Sequence, residues 1–273
     1  MPTTKINEID IYYEVHGNGE PLLLIMGLGA NATAWVMQID EFARHHTVIA
    51  FDNRDAGRSQ RATGSYSMRQ MALDALALLD HLEIESADVF GMSMGGMIAQ
   101  ELVLEAPHRV RGLVLGGTMA GGPNAVMPGM QLVQQWMALG SLPREQAFEA
   151  GLNFLYSEAF ITKNRERLLK RSLDTAHLMS PPDALQRQIM AVLGFNVHHR
   201  LRDVQSPTLV LTGTDDKIVP SANSRILAGG IPAARLIEYE GAGHGFVVER
   251  HEETNAHVLD FLRPHKIAAS AAD

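Results

Sequence analysis

The chain reads as an α/β protein, a mostly parallel sheet covered by helices on both faces with a helical segment inserted late. Three observations predict this. Short apolar runs of strand length alternate with helical patterns along most of the sequence. Several runs, such as "LVLT" at 209–212, are almost continuously apolar, as expected of parallel strands buried on both faces. Between 119 and 202 the alternation stops, and amphipathic helical patterns punctuated by Pro123, Pro128, Pro143, Pro181 and Pro182 take over.

Taken in order, "IDIYYEVHG" and "PLLLIMG" are strands separated by the turn residues of "HGNGEP". "HTVIAFD" is the next strand, followed by the loop "NRDAGRS". Ser67 to Gln70 form a capping-box pattern that opens a helix running to about Leu82, with Met71, Ala75, Leu78, Leu79 and Leu82 on one face. Then come "ADVFG" as a strand, Ser93 to Glu105 as a helix and "VRGLVLGG" as a strand. After the helical gap, "PTLVLTG", a helix near Ser221 to Leu227, "ARLIEYEG" and a helix over Glu249 to Leu262 resume the alternation. The expected organisation is a core of residues 1–118 and 203–273, with 119–202 as a lid (cap) over the strand ends.

Composition narrows the function. At 273 residues with 46% apolar side chains, the chain suffices for one large domain. A net charge of −8 without any Lys/Arg block argues against a nucleic-acid partner. The absence of cysteine excludes disulfides, thiolate metal sites and a Cys nucleophile. The N-terminus has no basic stretch followed by an apolar run, and no apolar run reaches the roughly 18 residues of a membrane span. A cytoplasmic protein is therefore expected, and the sequon at Asn31 is read as chance.

The chemistry centres on "GMSMGG", residues 91–96, between a strand and a helix. Three glycines in six positions weaken both kinds of element and need a steric reason. A sharp turn that presents Ser93 at a strand's carboxyl end and a helix N-terminus supplies one. A serine hydroxyl needs a base, and His244 in "GAGHGF" lies in a strand-end loop flanked by Gly243 and Gly245. The other histidines, including the pairs His45-His46 and His198-His199 and the C-terminal His251, His257 and His265, sit in polar surroundings. The strand end "GTDDKIVP" offers two carboxylates, Asp215 and Asp216, to orient that base. The N–H of Met94, next to the serine, suits a developing oxyanion.

These motifs together resemble the α/β-hydrolase superfamily over nearly the whole chain, as does "FDNRDAGRS" beside its common D-x-R-G-x-G-x-S loop. The resemblance implies the α/β-hydrolase fold and a triad of Ser93, Asp216 and His244. Asp216 is chosen because the family's acid is usually followed by two residues and a Val-Pro pair. It also implies a second oxyanion donor at the Leu28 N–H and a structural role for Arg54 and Arg58. The family's usual His-Gly is Met26-Gly27 here, a departure similar to that of some methylesterases.

The expected activity is hydrolysis of a carboxylic ester or lactone, as in carboxylesterases, methylesterases and enol-lactone hydrolases, with no cofactor and no metal. A C–C hydrolase, an aminopeptidase, a cofactor-free perhydrolase or a slow-turnover binding protein uses the same scaffold. Met119, Trp136 and Phe154 are candidate pocket residues for a small, apolar substrate. Met127, Met130, Met137, Met179 and Met190 suit either that pocket or the lid's own core.

Overall fold

The computed structural model describes residues 2–270. One eight-stranded sheet runs through it in the order β1-β2-β4-β3-β5-β6-β7-β8. The strands are β1 (Thr3–Ile6), β2 (Ile9–His16), β3 (Glu20–Ile25), β4 (His46–Phe51), β5 (Ala87–Met92), β6 (Val110–Gly116), β7 (Thr208–Gly213) and β8 (Arg235–Tyr239). The β1–β2 and β2–β4 pairings are antiparallel, and every other pairing is parallel. Strand β1 was not anticipated: "TTKI" is short and polar, and only pairing with β2 orders it as an edge.

The period-2 alternation of side chains divides the core in two. Leu23 and Ile25 of β3 point to one face, where they meet α2 (Met68–His81), α3 (Met94–Glu105) and Leu227 of α8 (Ala222–Gly230). Leu22 and Leu24 point to the other, against Phe42 of α1 (Ile39–Phe42), α9 (Phe246–Glu249) and α10 (His251–Ser270). The cap expected at Ser67 is present, its hydroxyl accepting the Gln70 N–H at 3.2 Å. The last helix starts at His251, later than expected, because Phe246–Glu249 forms its own turn against the sheet.

The insertion between β6 and β7 contains α4 (Met130–Ala138), α5 (Arg144–Leu155), α6 (Glu158–Asp174) and α7 (Pro182–Leu193). Its two ends leave the core side by side, through a bridge between Gly121 and Asn196 and a Val197 N–H to Ala120 carbonyl bond of 2.9 Å. Buried Asn223 acts as a surrogate strand there, accepting the Val126 N–H at 2.9 Å and donating to its carbonyl at 2.8 Å. Met127, Met130, Met179 and Met190 are all exposed on this insertion, while the side chains of Met137 and His265 lie outside the described residues. No helix among the described residues is long and apolar enough to cross a membrane.

Candidate active site

Ser93 stands between β5 and α3 with φ 57° and ψ −124°, a left-handed conformation that a non-glycine residue adopts only under constraint. Its surroundings supply that constraint. The Ser93 N–H donates to the Gly116 carbonyl at 2.8 Å, and its own carbonyl accepts the Gly96 N–H at 2.9 Å. Backbone then crowds the elbow from both sides. A Cβ on Gly91 would collide with Gly95, and one on Gly95 would collide with the Ile25 carbonyl of β3. The glycines expected at the turn are therefore required by close approach of three chain segments.

Asp216 and His244 meet across the ends of β7 and β8. The His244 Nδ1 lies 2.7 Å from Asp216 Oδ2, and neither side chain is more than 8% exposed. The other carboxylate oxygen, Oδ1, accepts the N–H groups of Ile218 at 2.9 Å and Val219 at 2.8 Å. With that oxygen engaged twice, Oδ2 is aimed at the imidazole, and an ionised carboxylate there needs the proton on Nδ1. Asp215, by contrast, is exposed, and its carboxylate accepts from its neighbour Thr214, whose Oγ1 is 3.3 Å away.

Gly117, one residue beyond the carbonyl that holds Ser93, links the two halves. The position its Cβ would occupy is 3.4 Å from both Asp216 Oδ2 and His244 Cε1. Ser93, Asp216 and His244 thus gather around the carboxyl end of β6 and its neighbours, where parallel sheets place their sites.

The turn after β3 also comes close to the serine. A Cβ on Gly27 would lie 2.8 Å from Ser93 Cβ and 3.2 Å from its Oγ. The turn closes with the Ala30 N–H on the Gly27 carbonyl at 3.2 Å, and Asn53 Nδ2 holds the Met26 carbonyl at 2.8 Å. Leu28 is the next residue in that turn, and Met94 opens α3, so its N–H has no preceding helical turn to donate to.

The pocket candidates fall into two groups. Met119 is buried in the core cluster and lines a cavity of about 300 Å³ with Gly121, Met127 and Val192. Trp136 and Phe154 pair with each other at 5.6 Å between ring centroids and are not among that cavity's lining residues. The insertion instead reaches the histidine loop through Tyr156, whose ring occupies the space where a Cβ on Gly245 would go. Burial raises the pKa of that phenol, so it is a neutral wall.

Arg54 and Arg58 are structural, Arg54 bidentate to buried Asp74 and Arg58 to Asp52 and Glu14. Asn31 is consumed as a cap, its Oδ1 accepting the Thr33 N–H at 3.1 Å. Among the described residues no group of three His, Asp or Glu is placed to hold a metal ion.

Two contributions were invisible in the sequence. Asp55, with φ 67°, is fully buried under α7 and held by Arg187 through Nε and Nη2, both at 2.8 Å. Gln188, also fully buried, reaches from the same helix to the turn after β3. In sequence Arg187 looks like half of an exposed i,i+4 pair with Asp183, which it also makes at 3.0 Å.

A parallel sheet with polar side chains at its strand ends beneath a helical insertion is the build of an α/β-fold hydrolase, and this chain is one. It belongs to the family described as the alpha/beta hydrolase fold, whose pattern matches residues 20–250. A protein of Azorhizobium caulinodans named "Putative carbamate hydrolase RutD" is 36% identical over 262 residues, covering 96% of this chain and 98% of that one. Among solved structures, the enol-lactonase from Burkholderia xenovorans is 25% identical with a TM-score of 0.83, covering 96% of this chain and all (100%) of that one. Est816, described as an N-acyl homoserine lactone degrading enzyme, is 29% identical with a TM-score of 0.80, over 95% of this chain and 100% of its own.

Proposed function

We propose that the chain is a serine hydrolase that cleaves a carboxylic ester or lactone through an acyl-enzyme. The observation that carries this reading is the strained Ser93 elbow beside the Asp216–His244 pair, all three gathered at adjoining strand ends.

Ser93 Oγ attacks the carbonyl carbon while His244 Nε2 takes its proton, and Asp216 stabilises the imidazolium. The Met94 and Leu28 N–H groups receive the oxyanion. Collapse of the tetrahedral intermediate breaks the bond to the alkoxide, which leaves with the proton from His244. Water then attacks the acyl-enzyme, giving its proton to His244, and the proton returns to Ser93 as the acid departs. Residues 119–202 act as the lid over residues 1–118 and 203–273, with Met119, Trp136 and Phe154 the pocket candidates.

A carbamate substrate is the second reading, favoured by the carbamate-hydrolase name of the relative that matches almost end to end. It uses the same attack, with carbon bonded to nitrogen as well as oxygen. Rates on p-nitrophenyl acetate, longer p-nitrophenyl esters, γ-butyrolactone and carbamate salts separate the two. Ester and lactone turnover, with a fluorophosphonate labelling Ser93 alone, supports the first. Ammonia release from carbamate outpacing every ester supports the second, and label on another residue removes both.

A further inference from the structure

Gln188 belongs to the insertion, yet its side-chain amide is spent entirely on the core. It is fully buried. Its Oε1 accepts the Gly29 N–H at 2.8 Å, and its Nε2 donates to the Arg54 carbonyl at 3.0 Å. Those partners, one a donor and one an acceptor, fix which end of the amide is oxygen. A buried amide without such bonds carries a substantial desolvation cost, so the side chain is locked where it lies. Neighbouring groups hold α7 on the same surface. Leu185 lies against Gly29, 3.2 Å from where its Cβ would be, Ser180 Oγ donates to the Asp55 carbonyl at 2.8 Å, and Arg187 clamps the Asp55 carboxylate.

The bond to Gly29 matters because of where that N–H lies in the turn. Residues 27–30 form a four-residue turn closed by the Ala30 N–H on the Gly27 carbonyl, with Gly29 at φ +66° in its third position. Turns with positive φ at that position differ from the commonest type by rotation of the central peptide, here the one joining Leu28 to Gly29. Glycine tolerates either state, so the turn's own residues do not settle it. Gln188 does, by accepting the N–H of that peptide. The Leu28 N–H belongs to the preceding peptide, whose carbonyl accepts the Ala30 N–H, so its direction is set by that closing bond and its position by where the turn is anchored.

We propose that Gln188 is a positioning residue for the oxyanion hole: by anchoring the 27–30 turn through the Gly29 N–H it holds the Leu28 N–H beside Ser93, where the attacked carbonyl would sit. This rests on the oxyanion role given to Leu28 above. It makes the insertion part of the catalytic geometry as well as a cover, since α7 must be seated for the hole to be formed.

The test is a double-mutant cycle on p-nitrophenyl acetate, with folding checked by thermal melting. Leu28→Pro removes one N–H at a turn position that accepts proline, and lowers kcat by about 10²-fold, the usual loss for one oxyanion donor. Gln188→Met removes the acceptor at similar volume and lowers kcat by about tenfold with KM little changed, a fraction of that same donor's worth. The double variant is no slower than Leu28→Pro alone, because Gln188 acts only through that N–H. Gln188→Glu keeps an acceptor for Gly29 and recovers most of kcat. Parent kcat in Gln188→Met, losses that add in full, or equal losses in the Glu and Met variants overturn the inference while the Leu28 role stands. A Leu28→Pro enzyme with parent kcat overturns the Leu28 role itself, and the inference with it.

Discussion

Asp216 and Asp55 are both carboxylates with no side-chain exposure, set in loops after strands of one sheet, and they are partnered in opposite ways. Asp216 is satisfied by two backbone N–H groups and an imidazole, a partner that can gain and lose a proton. Asp55 is satisfied by Tyr66, the Ala62 N–H and the permanent charge of Arg187. Burial alone pushes the Asp55 carboxyl up, but the bonds from Arg187, Tyr66 and Ala62 together with the Arg187 charge outweigh it, and its pKa is lowered. Burial therefore says little about a carboxylate's role, and the partner decides it. An imidazole partner can pass a proton on, as the proposed function requires, and a guanidinium partner cannot.

Substitutions in the first region should stop chemistry and spare the fold, and those in the second should do the reverse. The largest effect is expected for Ser93→Ala, with kcat lowered by about 10⁶-fold, as when a serine-protease nucleophile is removed. Alanine keeps the Cβ, so the strained φ is unchanged and the melting temperature should stay near the parent's. Any residual fast turnover would move the nucleophile elsewhere. Asp216→Asn should cost about 10⁴-fold in kcat by presenting the wrong imidazole tautomer, again with little change in melting. Asp215→Asn is the internal control, and a larger loss there than at Asp216 would reverse the assignment.

Arg187→Met inverts the pattern. It strands a buried carboxylate and should cost about 3 kcal/mol of stability, read from denaturant unfolding. Retained stability would mean that Tyr66 and the Ala62 N–H suffice to hold Asp55. The size of that gap should also depend on pH. Because Asp55 has a lowered pKa in the folded protein, the stabilisation is complete above the unfolded value of about 3.9 and is lost as pH falls through the folded one. Parent and Arg187→Met should therefore converge on acidification, and a gap that stays constant to pH 3 would assign Arg187 to packing alone. The smallest effect is expected at Trp136, 38% exposed and paired with Phe154. Trp136→Ala should alter preference among p-nitrophenyl acyl lengths with little loss on the acetate, and an unchanged profile would exclude this pair from the pocket.

The order of the residues alone carried the parallel strands, because strands buried on both faces are apolar over most of their length and are readable without context. Ser93 and His244 stood out as candidates for a related reason: glycines crowd where chains nearly touch, and they mark the turns around both residues. Asp216 was set apart from Asp215 only through a family's register, and the two N–H groups of its own loop that hold it became visible once the loop was folded. The polar edge strand β1, the burial of Asp55 and the reach of Gln188 had no local signature at all. Arg187 and Gln188 lie on a helix whose pattern reads as ordinary amphipathic surface, and their partners are more than 130 residues away in sequence. Such contacts depend on how a helix sits against a distant loop, and only tertiary packing sets that distance.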